Sequence, residues 1–167
     1  LSMVKGQENS INIDRLDLYK QGRSFFESSL YGPAGFSQEK FIHQVYPANE
    51  DDFTNLRDDA AAMKAISSLR LDLTSGENEL ITFITEKYPD PSTTPAILEL
   101  GSYYYNKKWF KKSIDMYQMV DLENLPEFDR SEASFKKGYA HFVLKEFKEG
   151  KSELARTKDI QNIYYYP

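Results

Sequence analysis

Cysteine is missing from all 167 residues of the chain. Its absence excludes disulfides, metal sites built on thiolates and a cysteine nucleophile, and it leaves no redox clue to the compartment. Histidine is scarce: His43 and His141 are the only two, and neither belongs to a metal-ligand spacing such as H-E-x-x-H. A glycine-rich phosphate loop, a nucleophile elbow and a kinase motif are missing as well. These absences predict a protein that is not an enzyme and that uses no metal and no cofactor.

The chain also lacks long apolar runs and an excess of basic residues. No run approaches the ~20 apolar residues that a membrane-spanning helix requires. Lys and Arg number 21 against 26 Asp and Glu, a formal net charge of -5, whereas a nucleic-acid-binding face must be basic. Asp121, Glu123, Glu127 and Asp129 lie close together in sequence but lack the glycine of a calcium loop, which favours a solvated loop. We therefore expect no membrane span and no nucleic-acid partner.

What the chain does contain is one spacing that occurs three times: a glycine, an aromatic residue nine positions later and a small residue three further on. The copies are Gly22, Tyr31 and Ala34; Gly101, Phe110 and Ser113; and Gly138, Phe147 and Gly150. Glycine inside a helix destabilises it by roughly 1 kcal/mol relative to alanine, which indicates that a second helix packs closely there. The aromatic residue then lies near the turn as a wedge, and the small residue lets the helices cross closely. The spacing predicts helical hairpins.

The fullest copy resembles the tetratricopeptide repeat, a helix-turn-helix unit of 34 residues. The resemblance is carried by Leu100, Gly101, Tyr104, Phe110, Ser113 and Tyr117. In the next copy Lys137 and His141 replace the usual Leu and Tyr, so His141 is expected to be packed or hydrogen-bonded rather than a ligand. The resemblance implies an all-α fold, an α-solenoid of antiparallel helix pairs that forms a right-handed superhelix of about four hairpins.

The repeat units are predicted to follow one another along the chain, after a tail over residues 1–10. They cover residues 12–47, 51–89, 93–125 and 128–159, with the start of a further helix at 160–167. The second unit lacks the glycine spacing and is assigned from helical periodicity alone. We expect tight turns at 31–33 and 74–77, with Thr74 and Glu77 as a capping box, and Thr94 as the N-cap of a helix that begins at Pro95. Residues 1–6 resemble the end of a secretory signal. Alternatively, they are a remnant of an expression vector, or the chain is a domain excised from a longer protein, and both interpretations stay open.

Residues 86–101 resemble the Tyr-Pro-x-Ser joins of bacterial envelope tetratricopeptide proteins. Those include outer-membrane-assembly lipoproteins, Tol-associated coordinator proteins and long Tyr-rich repeat proteins of Bacteroidota. The resemblance spans roughly residues 77–158. It implies a location in the periplasm or cell envelope, with the cytoplasm as the alternative. Residues 160–167 resemble the opening of another first helix, so further repeats are expected downstream in the native chain.

The first helix of each hairpin lines the concave side of such a solenoid, where partners are generally held. The resemblance places these residues there: Tyr19, Arg23, Phe26, Leu98, Ser102, Tyr105, Asn106, Phe135, Tyr139 and Phe142. For any single aromatic residue the alternative is packing between repeats. The predicted function is a non-enzymatic scaffold whose partner is another protein or a peptide. The alternative is a peptide- or glycan-binding module of the periplasm.

Overall fold

The computed structural model describes residues 16–44 and 54–157, and these form eight α-helices without any β-strand. The helices are α1 (16–27), α2 (Tyr31–Gln44), α3 (Thr54–Arg70), α4 (Gly76–Lys87), α5 (Thr94–Asn106), α6 (Phe110–Gln118), α7 (Glu127–Val143) and α8 (Phe147–Ala155). Short 3₁₀ turns precede α5 and α7. The predicted all-α class is confirmed. The predicted tail at 1–10 and the further helix at 160–167 lie outside the described residues.

Two compact units divide the chain, Leu1–Ala96 and Ile97–Pro167. In the first unit, Tyr19, Phe41, Ala60 and Met63 form a buried cluster that joins α1, α2 and α3. In the second, the buried cluster is formed by Tyr117, Leu122 and Ala133, from α6, the following 3₁₀ turn and α7. Each unit therefore has apolar contacts of its own between consecutive hairpins.

The four hairpin turns share one backbone geometry. In each turn a residue other than glycine has a positive φ: Ser29 at 60°, Asp72 at 54°, Lys108 at 63° and Lys145 at 65°. The amide of the next residue donates to the carbonyl five positions back, as Trp109 does to Tyr104 at 2.8 Å. This is the Schellman ending, in which one left-handed residue stops a helix and satisfies its last carbonyls. The turns are thus built from backbone hydrogen bonds, which a search for Gly and Pro does not detect.

The three glycines of the repeated spacing are buried against the second helix of their own hairpins. A Cβ added at any of them would lie between 2.6 and 2.9 Å from a side chain sixteen positions later. The pairs are Gly22 with Gln38, Gly101 with Tyr117, and Gly138 with Leu154. In the third hairpin Ser113 Oγ also donates to the Gly101 carbonyl at 2.8 Å. The helices approach as the spacing predicts, because larger side chains would collide.

The second hairpin reaches close packing in a different way. Helix α4 begins four residues after Asp72, whereas the other second helices begin two residues after their left-handed residue. Gly76 opens α4, and a Cβ there would lie 2.6 Å from the backbone nitrogen and Cα of Leu69. The predicted capping box was wrong: Ser75, not Thr74, precedes the helix, and its Oγ donates to Glu79 Oε1 at 2.7 Å. The longer loop moves the point of close contact to the first residue of the helix.

Two further predicted helix starts were wrong. Residues 31–33 are the first turn of α2 and not a loop, because proline is compatible with a first helical turn, where no backbone donor is required. Thr94 has helical φ and ψ of -54° and -49°, since α5 continues directly from the 3₁₀ turn Pro91–Thr93. Asp90 caps that turn instead, and its Oδ1 accepts the Ser92 amide at 2.8 Å. Hydrogen bonding to Ser92 lowers the pKa of the Asp90 carboxyl.

Candidate interaction surface

Three aromatic pairs recur at the hairpin turns. Each pair joins the penultimate residue of a first helix to the first residue of the second helix, edge to face. The pairs are Phe26 with Tyr31 at 5.8 Å between ring centroids, Tyr105 with Phe110 at 5.9 Å, and Phe142 with Phe147 at 5.4 Å. The Schellman turn brings these helix ends together, and perpendicular rings at 4.5–7 Å attract one another. The aromatic residue of the repeated spacing therefore packs beside the turn.

The first pair is covered by a cation. Arg70, the last residue of α3, places Cζ 4.9 Å from the Tyr31 ring centroid and 5.8 Å from that of Phe26. Its guanidinium also donates to the Tyr31 hydroxyl. A guanidinium at these distances is attracted by the negative faces of both rings.

The second pair is covered by another ring. Tyr139, on α7, lies 5.8 Å from Tyr105 and 6.1 Å from Phe110, and Phe135 stacks on Tyr139 with only 20° between the ring planes. Burial raises the pKa of the Tyr105 hydroxyl, and the neighbouring Tyr139 raises it further. The following hairpin thus supplies the cover in each unit. In the first unit the cover is a cation, and in the second it is a ring together with Lys136, whose Nζ lies 5.8 Å from the Tyr105 ring centroid.

The third pair is open. Phe142 is 55% exposed and Phe147 58% exposed. Among residues 16–44 and 54–157, no third ring and no cation lies over either of them. This pair has the geometry of the two covered pairs but offers its apolar surface to solvent.

The predicted interface residues of the first unit are engaged within the fold. Tyr19 is only 6% exposed, and its hydroxyl donates to Asp59 Oδ2 at 2.5 Å. Burial raises the pKa of Tyr19, and the hydrogen bond to Asp59 raises it further. Arg23 pairs with Glu27 at 3.0 Å, and this hydrogen bond raises the pKa of the guanidinium. Phe26 belongs to the first aromatic pair. Tyr19 is therefore part of the core, although the sequence predicts it at a partner-facing position.

In the second unit, the structure brings four of the predicted residues together and separates the others. Tyr139 contacts both Tyr105 and Phe135, and Phe142 lies one helical turn beyond Tyr139 on α7. The remaining three serve elsewhere. Leu98 packs against the buried cluster at Tyr117, Ser102 accepts a hydrogen bond from Lys136 at 2.6 Å, and Asn106 is exposed at the end of α5. Their partner-binding role stays a prediction.

Three surface residues were not predicted from the sequence: Trp109, Phe147 and Arg70. Trp109 is 45% exposed and contacts Tyr103 and Tyr104. A signal was present, since it is the single tryptophan and lies between two pairs of lysines. Arg70 gave no signal, because its position over the first pair depends on how α3 packs.

His141 is buried, with 6% exposure, and its Nδ1 lies 2.6 Å from Glu146 Oε2. The prediction of a packed, hydrogen-bonded histidine is confirmed. In the described ranges no three His, Asp or Glu side chains are grouped so as to hold a metal ion. Within those ranges, too, every helix is too short or too polar to cross a membrane.

Comparisons with known proteins identify the fold. No protein-family model matches the sequence, and neither does any curated protein. Two solved structures are similar to this chain: MamA D159K mutant 1 and MamA AMB-1 P212121. Each matches 90% of this chain at 18% sequence identity and a TM-score of 0.64. The match covers 79% of the first MamA chain and 74% of the second. MamA is a protein of the tetratricopeptide type. The similarity confirms the predicted all-α solenoid fold, while membership of the tetratricopeptide family and the likeness to envelope proteins of Bacteroidota stay predictions.

Proposed function

We propose that the protein is a non-enzymatic interaction scaffold and that a partner protein covers the Phe142–Phe147 pair with an aromatic ring or an arginine. The observation that carries this function is the contrast among the three pairs. Arg70 covers the first and Tyr139 the second, while the third is more than half exposed. The chain therefore contains two internal examples of the contact that a partner would complete.

The chemistry of this surface suits protein recognition. Aromatic side chains and arginine are enriched where binding energy concentrates at protein interfaces. Each ring buries a large apolar area, and an edge-to-face or cation–π contact adds about 0.5–1.5 kcal/mol to that burial. Tyr139 lies one turn before Phe142, so a bound segment that covers the open pair would also reach Tyr139, which is 43% exposed.

The cell envelope is the proposed location. It is supported by the likeness of residues 86–101 to joins in envelope repeat proteins. Fractionation of the native cells tests it: the protein is expected with periplasmic or envelope markers. Recovery with cytoplasmic markers alone would contradict the location and leave the scaffold function standing.

Partner capture tests the surface. Phe142→Ala, Tyr139→Ala and Tyr105→Ala variants are used to recover partners from an envelope extract, and Phe142→Ala is expected to reduce recovery of a specific partner about tenfold or more. Phe36→Ala is the matched control, because Phe36 is 59% exposed on α2 and is equally apolar.

Equal recovery by Phe142→Ala and Phe36→Ala, with unchanged helix content, would contradict the proposed surface. The alternative of a peptide- or glycan-binding module is examined with the same variants. Saturable binding of free peptides or cell-wall fragments, lost in Tyr139→Ala and without any protein partner, would support that alternative instead.

A further inference from the structure

The α5–α6 turn is a basic segment in an acidic protein. Residues 107–112 read Lys-Lys-Trp-Phe-Lys-Lys, four lysines without an acidic residue, whereas the whole chain has a net charge of -5. All four lysines are exposed, and Trp109 between them is 45% exposed. We call residues 107–112 the lysine-tryptophan turn. Its charge is opposite to that of the chain that bears it.

The ammonium groups of this turn lie beside its rings. Lys112 Nζ is 4.7 Å from the Trp109 ring centroid and 4.9 Å from that of Tyr104, and Lys107 Nζ is 5.3 Å from that of Tyr103. Tyr103 and Trp109 are nearly perpendicular at 6.5 Å. Positive charge and exposed aromatic surface therefore lie side by side at the lysine-tryptophan turn.

The α7–α8 turn extends the same surface within the second unit. The end of α5 and the start of α6 both contact Tyr139, near the end of α7, so the two hairpin turns lie at the same end of this unit. The second turn adds Leu144, which is 40% exposed, and the exposed lysines Lys145 and Lys148. Glu146 in this turn is paired with His141.

We propose that the lysine-tryptophan turn binds the surface of a bilayer that contains anionic phospholipids. Tryptophan and tyrosine prefer the headgroup level of a membrane, where the ring meets the acyl boundary and its polar edge meets water. Lysines at that level contact lipid phosphates while their methylene stems lie along apolar surface. An acidic polymer would satisfy the lysines but would leave Trp109 and Leu144 exposed. A bilayer interface satisfies both, so the lipid surface is the better occupant.

Trp109 reports directly on this contact, because it is the only tryptophan. The complete protein is mixed with phosphatidylcholine vesicles that contain phosphatidylglycerol, and with phosphatidylcholine vesicles alone. The protein is expected to sediment with the anionic vesicles only and to be released by high salt. On binding, Trp109 emission is expected to shift to the blue and to be quenched by brominated acyl chains.

Two double variants of equal charge change separate the turn from overall charge. Lys108→Gln with Lys111→Gln is expected to lower partition into anionic vesicles about 25-fold, since each lysine contributes about fivefold. Lys20→Gln with Lys40→Gln, both exposed on helices of the first unit, is expected to leave partition nearly unchanged. The assay contains no other protein, so its result does not depend on the proposed protein partner.

Absence of binding to anionic vesicles, or equal loss in the two double variants, would overturn the proposal. A Trp109 emission that does not respond to vesicles would overturn it as well. Binding to polyglutamate is measured as well. Saturable binding to it without any vesicle partition would assign the turn to acidic polymers and reject the lipid surface.

Discussion

At the scale of single residues, Tyr19 shows how a side chain at a predicted interface position can belong to the core. Its ring packs 5.4 Å from Phe41, and its hydroxyl donates to Asp59. The helical position alone is compatible with both roles. The contact that places Tyr19 in the core is its hydrogen bond to the Asp59 carboxylate, forty residues away. A local sequence pattern cannot predict a contact at that separation.

Tyr19→Phe is expected to lower the free energy of unfolding by about 1–2 kcal/mol, because the ring is kept and Asp59 loses its donor. Urea unfolding measures this, with Tyr88→Phe as a control at a 47% exposed tyrosine. Burial raises the pKa of Tyr19 above 10.0, so the stability it contributes is present below pH 10 and is lost as the pH rises through the raised value. The loss above pH 10 is expected to be smaller in Tyr19→Phe. Equal stability of the two tyrosine variants would contradict this role.

Glycine at Gly138 has a different requirement from glycine at Gly32. A Cβ on Gly138 would lie 2.8 Å from Leu154 Cγ and 3.1 Å from the Gly150 carbonyl oxygen, whereas one on Gly32 meets nothing within 4 Å. Gly138→Ala is therefore expected to lower the free energy of unfolding by about 1–3 kcal/mol. Gly32→Ala, in α2, is expected to raise it by up to about 1 kcal/mol. Chemical denaturation decides, and a stabilised Gly138→Ala would show that the helices can separate without loss.

At the scale of elements, the sequence predicts the hairpins better than their turns. The glycine spacing predicts close packing at Gly22, Gly101 and Gly138, and each of them does face its second helix. The turns are less predictable because their stopping residues, among them Ser29 and Lys145, are not glycines, so the left-handed position has no compositional signal. The open aromatic pair could be predicted only in part: its two members follow the spacing, but which pairs are covered depends on the neighbouring hairpin.

Lys145→Gly tests the shared turn geometry. Lys145 has a φ of 65°, where a Cβ is strained and glycine is not. The substitution is expected to stabilise the protein by about 0.5–1 kcal/mol. Lys151→Gly, at an exposed position within α8, is expected to destabilise it by about 1 kcal/mol. Thermal melts of both variants measure the difference, and a loss of similar size in the two would argue against strain at the turn.

At the scale of the whole molecule, stability in a solenoid is a sum of repeat terms and nearest-neighbour interfaces. The two compact units are each built from consecutive helices. A defect in one hairpin is therefore expected to affect its own neighbourhood first.

Hydrogen exchange of Gly138→Ala tests this expectation. Amides of α7 and α8 are expected to exchange faster, with smaller changes in α2 and α3. Gly22→Ala, where the added Cβ meets the side chain of Gln38, is expected to give the opposite distribution. Equal acceleration throughout both variants would indicate one cooperative unit.

In each hairpin turn the left-handed position is occupied by a residue that has a side chain, and this is useful for protein engineering. The backbone at Lys108 and Lys145 already tolerates a Cβ in an unusual conformation. Polar or charged replacements at these two positions would change the surface charge of the turns, and the helices would keep their arrangement. Single substitutions at these positions could therefore change what the surface binds without disturbing the packing of the helices.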